Sequence, residues 1–239
     1  MLRITTFGGL TLRQGDQSLT GPPTQRRRLA LLAMLAVAGE AGVSRDKLLA
    51  MLWPEGEPEK SRHALNQILS AQRRHFGNAP LFEGKKTVRL NLSLVSSDIR
   101  SFQDAIARGD VSSAVDLYTG PFLDGFFIPG SPEFEMWATD QRTRLADLLA
   151  DSLDAAARRA DESGDREAAV KWRRHAAQLD KTDAARAIRL AESLVLAGNR
   201  AGALRALSDC QKRIKKELGV PGDPEIERRI STLMLELGG

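Results

Sequence analysis

Cysteine is nearly missing from this sequence. Cys210 stands alone, so no intramolecular disulfide can close and no thiolate cluster can hold zinc. That scarcity fits a reducing compartment. Histidine is almost as scarce: His63, His75 and His175 are scattered, with no pair at i, i+4 and no His-Glu pair of the metalloprotease type, so no metal site is expected. No apolar run approaches the ~18 residues needed to span a bilayer. The start, Met1-Leu2-Arg3-Ile4-Thr5, also lacks a charged segment leading into an apolar one, so a cytoplasmic location without membrane contact is expected. Gly8-Gly9 falls at a strand end, but no glycine-rich loop ending in Lys-Ser or Lys-Thr opens a helix, and no Gly-x-Ser-x-Gly elbow occurs. The expectation is a protein that is not an enzyme and uses no cofactor.

What the chain does contain is enough apolar material for real cores. Of its 239 residues 42% are hydrophobic and 28% charged, and this length suggests two domains. The net charge of +4 is unevenly spread: residues 1–100 carry 15 Lys and Arg against 8 Asp and Glu, whereas residues 101–239 carry 20 against 23. The basic first part is therefore the better candidate for a nucleic-acid partner, because clustered cations on phosphates release counterions.

Along that first part, Leu2 to Phe7 and Leu10 to Arg13 alternate like short strands, separated by Gly8-Gly9. After Pro22-Pro23, Thr24 is placed to cap a helix whose apolar residues Leu29, Leu32, Ala33, Leu35 and Ala36 recur up to Gly39. Ser44 caps a second helix that Pro54 stops after Trp53. A third helix is expected from about Pro58 to Phe76, ended by Gly77. Residues 82–92 then read as a β-hairpin with Gly84 at its turn and lysines at its tip. Three helices and a basic hairpin make a winged helix-turn-helix of α+β class, assigned to residues 1–97.

From Asp98, read as the next helix cap, every strong segment is helical, which assigns residues 98–239 to an all-α domain. Gly164-Asp165-Arg166-Glu167-Ala168-Ala169 resembles Gly198-Asn199-Arg200-Ala201-Gly202-Ala203 at an interval of 34 residues, the tetratricopeptide period. Helix-turn-helix repeats are thus expected, with an ordinary helical bundle as the alternative. Trp53, Phe122, Phe126, Phe127, Trp137 and Trp172 read as packing anchors, and Cys210 as a small buried apolar side chain.

The third helix carries the chemistry. Leu65, Ile68, Leu69, Gln72 and Phe76 fall on one face and Arg62, His63, Asn66, Gln67, Ser70, Arg73 and Arg74 on the other. Arginine pairs with guanine O6 and N7, and asparagine or glutamine with adenine N6 and N7, so Arg62, His63, Asn66, Gln67 and Ser70 are candidates for base contacts. Arg73 and Arg74, the cluster Arg26, Arg27, Arg28, and the hairpin's Lys85, Lys86 and Arg89 are candidates for phosphate. A polar face kept only for solubility would have the same composition. The adjoining basic hairpin is what favours double-stranded DNA.

Several stretches together resemble the Streptomyces antibiotic regulatory protein (SARP) family, which joins an OmpR-type winged helix to a bacterial transcriptional activator domain. They are Val43 to Pro54, Ser61 to Ser70, Ala114 to Phe126 with its Leu-Tyr-Thr-Gly-Pro-Phe-Leu run, and Glu217 to Glu225. The hairpin lacks the Gly-Tyr pair common before the family's last wing strand. The resemblance implies binding to direct repeats at promoters as a head-to-tail homodimer on DNA, and activation by recruiting RNA polymerase. It also places the polymerase contact in the loop between the second and third helices, where Glu55 and Glu57 lie. The competing reading is a repeat-type protein-interaction module without sequence-specific DNA binding. Arg62, Asn66 and Gln67 count against it.

Overall fold

Alternation in Leu2-Arg3-Ile4-Thr5 turns Leu2 and Ile4 to one face, and that face is buried in β1 (Leu2–Thr5). β2 (Thr11–Gln14) returns antiparallel with Leu12 opposite Ile4, and β3 (Gln17–Ser18) pairs with β2. This computed structural model describes residues 1–238, which fall into two compact units, Met1–Leu145 and a second from Ala146 on.

In the first unit, α1 (Arg26–Ala38) is buried continuously from Leu29 to Ala36, as a helix that is apolar all round must be. Its start differs from expectation. Pro22 to Thr24 form a short 3-10 turn of their own, in which Thr24 Oγ1 donates to the Gly21 carbonyl, so the helix opens after Gln25 without a side-chain cap. The ring-fixed backbone of a proline favours such a turn and moves the helix start along the chain. β4 (Val43–Ser44) leads into α2 (Arg45–Leu52), whose cap Ser44 accepts from Lys47 N at 3.2 Å. α3 (Pro58–His75) has proline in its first turn and runs out at Gly77, which has a φ of 67°. β5 (Phe82–Glu83) and β6 (Thr87–Leu90) form the hairpin, and β4 joins β6 in a three-stranded sheet ordered β4-β6-β5.

β7 (Val95–Ser97) runs parallel to β1 and completes a sheet ordered β3-β2-β1-β7. It feeds α4 (Asp98–Ala107), and here a second expectation is corrected: the cap is Ser97, whose hydroxyl accepts from Arg100 N. Asp98 is used otherwise. Its carboxylate accepts from Thr6 N and Thr6 Oγ1, both at 2.7 Å, and from Phe7 N at 2.9 Å, tying the end of β1 to the start of α4. After α5 (Val111–Leu117), the run Tyr118 to Leu123 lies along the chain beyond β1. Leu123 N donates to the Thr6 carbonyl at 2.8 Å, Gly8 N to the Pro121 carbonyl at 3.0 Å, and Thr119 Oγ1 to the Phe7 carbonyl at 3.0 Å. Gly8 and Gly120 meet backbone to backbone, since a Cβ on Gly120 would stand 2.9 Å from Gly8 Cα.

Phe122 is fully buried at this junction, and Arg142, on the long helix α6 (Pro132–Glu162), donates to the carbonyls of Phe122 and Leu123. Phe7, Phe102 and Tyr118 stack nearby, and burial pushes the Tyr118 phenol above its usual pKa. These contacts carry the first compact unit past residue 97 to Leu145. Among the expected anchors Trp53, Phe126, Trp137 and Trp172 are half-buried, but Phe127 is 50% exposed and lies under the Arg26 guanidinium instead.

The second unit continues with α7 (Arg166–Leu179), α8 (Ala184–Leu196), α9 (Arg200–Arg213), a π turn over Ile214–Leu218, and α10 (Pro224–Gly238). Val170, Leu190, Leu194, Leu207, Ile226 and Leu233 belong to its core. The two related segments form the same turn. Gly164 and Gly198 are both left-handed, Asp165 N donates to Ala160 O as Asn199 N does to Leu194 O, and Asp165 and Asn199 each cap the next helix. Cys210 lies in this core, where burial and nearby Asp183, Asp180 and Asp223 push its thiol up to about 11. At the C-terminal turn, Gln211 accepts from Asp223 N and donates to Glu227.

Candidate nucleic-acid interface

Apolar residues at helical spacing hold α3 down and thereby decide what it presents. Leu65 and Leu69 are buried, while Arg62, His63, Asn66, Gln67, Ser70, Arg73 and Arg74 are all exposed along the opposite face. Within that face Gln67 Nε2 lies 2.8 Å from His63 Nε2, the i, i+4 neighbours of one helical turn, so the amide donates to the ring when the imidazole proton is on Nδ1. Arg62 pairs with Glu59 at 2.7 Å, an exposed bond that costs little to exchange for another acceptor. Arg73 reaches the Phe82 carbonyl at 2.9 Å and so braces β5 as well as facing outward.

The hairpin stands beside this face. Gly84 takes a φ of 84°, and a Cβ there would lie 2.0 Å from the Thr87 carbonyl, so only glycine closes the turn. Val88 and Leu90 point into the core and Lys85, Lys86 and Arg89 point out. Arg89 pairs with Glu83 across the two strands at 2.9 Å. Arg74, Lys85 and Lys86 are exposed and form no ion pair among the described residues.

One residue that the sequence reading passed over joins the parts together. Arg45, the first residue of α2, donates from its backbone N to the Lys86 carbonyl at 3.1 Å, from Nε to the Lys85 carbonyl at 2.7 Å, and from Nη1 to Asn66 Oδ1 at 2.9 Å. A cation in the first turn of a helix works against the helix dipole. That misfit is the signal by which Arg45 could have been singled out.

The arginines that open α1 are each engaged by the protein. Arg26 donates to the Phe127 carbonyl at 2.8 Å and lies 4.2 Å over that ring, Arg27 donates to the Leu52 carbonyl at 3.0 Å beside Trp53, and Arg28 donates to the Pro22 carbonyl at 2.7 Å. In the loop between α2 and α3, Glu57 pairs with Lys60 at 2.7 Å and Glu55 forms no ion pair among the described residues. A Cβ on Gly56 would stand 2.2 Å from Ser61 Oγ, so any larger residue there would displace that hydroxyl. Among the described residues no group of three His, Cys, Asp or Glu could hold a metal ion, and no helix is long and apolar enough to cross a membrane.

The model of the bacterial transcriptional activator domain matches residues 94–234, more than half of the chain. The chain belongs to this family. Membership in the bacterial transcriptional activator domain family bears out the SARP resemblance, and that family is one of transcription regulators. An uncharacterised 47.3 kDa protein in the thcA 5′ region of Rhodococcus erythropolis is 31% identical over 183 residues, covering 74% of this chain and 39% of that protein. Mycobacterium tuberculosis EmbR, solved in complex with a low-affinity phosphopeptide, has the same fold with a TM-score of 0.63 at 19% identity, over 98% of this chain and 65% of that one. This chain therefore spans less than two thirds of either relative's length.

Proposed function

We propose that this protein is a cytoplasmic transcription activator whose residues 1–97 bind double-stranded DNA and whose residues 98–239 mediate protein contacts. The observation that carries the reading is the exposed stripe Arg62, His63, Asn66, Gln67 and Ser70 on α3, set beside a hairpin that offers Lys85 and Lys86. An α-helix fits the major groove, and these side-chain types match base edges there. Arg73, Arg74, Lys85, Lys86 and Arg89 supply phosphate contacts, and Arg26, Arg27 and Arg28 add positive charge while anchoring α1. Two protomers bind head to tail on direct repeats at a promoter, and the α2–α3 loop presents Glu55 and Glu57 to RNA polymerase. A gel shift on promoter fragments from the protein's own genomic neighbourhood tests this. A retarded complex that survives excess random duplex is expected; a complex that random duplex removes at equal concentration would defeat the sequence-specific reading.

A further inference from the structure

An asparagine that reads adenine uses both ends of its amide, accepting from N6 and donating to N7. At Asn66 one of the two lone pairs of the amide oxygen is already taken. Its Oδ1 accepts from Arg45 Nη1 at 2.9 Å, and the Arg45 guanidinium is itself fixed by the bond from Nε to the Lys85 carbonyl at 2.7 Å and by the backbone bond from Arg45 N to the Lys86 carbonyl. The amide sense is thereby set: oxygen toward the guanidinium, NH2 away from it. An arginine has five N–H donors and no acceptor, and two are consumed here, so its remaining N–H groups add only donors at the same place. No acidic side chain pairs with Arg45 among the described residues.

Resting on the reading of α3 as the DNA-reading helix, we infer that Arg45 and Asn66 act as one donor-rich unit that selects guanine. Guanine presents two acceptors, N7 and O6, in the major groove, whereas adenine and cytosine each place an amino donor there and thymine offers a single acceptor, O4, beside its methyl group. An adenine N6 amino group at this position would face the guanidinium's own donors and an oxygen with only one lone pair left. Arg45 is thus a specificity-determining residue supplied by α2, and its bond to Lys85 makes the setting of the recognition face depend on the position of the hairpin.

The test is selection from a random duplex library by the full chain, in the wild type, Asn66→Ala, Arg45→Met and the double variant, followed by sequencing of the bound DNA. The expected wild-type site contains a guanine whose preference drops about tenfold in Asn66→Ala and to a similar degree in Arg45→Met, with the other positions unchanged. The double variant should lose no more than either single one, since the two residues act together. An Asn66-dependent position that selects any other base, or an Arg45→Met variant that keeps the guanine or weakens every position alike, overturns the inference. Should Arg45→Met fail to fold by circular dichroism, 7-deazaguanine at the selected position decides: it must weaken wild-type binding about tenfold and leave Asn66→Ala unaffected, and equal effects on both overturn the inference. A wild type that enriches no sequence at all instead marks the failure of the DNA reading itself.

Discussion

Asp98 shows how a single side chain can set the reach of a folding unit. Its carboxylate satisfies the backbone N–H groups of Thr6 and Phe7, both in residues that are almost wholly buried, together with the Thr6 hydroxyl. Those donors have no water to turn to once the carboxylate is gone, and buried donors left unpaired cost more than the bonds themselves return. Asp98→Ala is expected to destabilise the first unit by about 3 kcal/mol, whereas Asp98→Asn, which keeps one acceptor oxygen, should cost roughly half as much. Thermal unfolding followed by circular dichroism checks the order, with a fall of roughly 10 °C for the alanine variant. Equal melting temperatures for wild type and Asp98→Ala would mean that the junction of β1, α4 and the Tyr118 to Leu123 run does not depend on this carboxylate.

At the scale of elements, the α2–α3 loop is the one whose role is least constrained by packing. Pro54 and Pro58 bracket it, Gly56 N donates to the Trp53 carbonyl at 3.1 Å, and both glutamates are exposed. Acidic side chains there are of no use against phosphate but suit a basic partner surface, where charge sets encounter and orientation more than affinity. Replacing Glu55 and Glu57 with Gln keeps size and removes charge. Operator affinity should stay the same or rise slightly as repulsion from phosphate is relieved, while run-off transcription from the bound promoter falls. Unchanged transcription at full promoter occupancy would exclude the loop as an activating surface. Because Glu57 already pairs with Lys60, Glu55 is expected to account for most of the effect.

Elements with a long period were legible in the sequence and those without one were not. The faces of α3, the hairpin turn at Gly84 and the paired turns at Gly164 and Gly198 follow from spacing and from where glycine is tolerated. β3 and β4 are two residues long and have no alternation to detect, and β7 becomes a strand only because β1 is there to pair with it. The helix starts at Gln25 and Ser97 were missed for a related reason, since a nearby Thr or Asp satisfies the same capping pattern. In the candidate site, the side chains on the outer face of α3 could be named from the sequence, but their mutual bonds could not. Arg45 bonds to residues 21 and 40 positions further along the chain, a link that no local pattern carries.

Over the whole molecule, charge separates the two parts that the family architecture joins. Residues 1–100 carry a net +7 and residues 101–239 a net −3, so on the proposed function the electrostatic attraction to a duplex is expected from the winged helix. Attraction of that kind is indifferent to sequence, and it falls with salt in proportion to the number of phosphates neutralised. Base readout has the opposite signature, adding affinity on one sequence with little change in salt dependence. Whether the outer face of α3 reads sequence is decided by measuring the affinities of wild type, Gln67→Ala and Lys85→Ala for operator and for random duplex over a range of salt. Gln67→Ala should lose ~1–3 kcal/mol on the operator and little on random DNA, while Lys85→Ala weakens both and shallows the salt slope by about one unit. Equal losses on the two duplexes for Gln67→Ala would contradict base reading by α3.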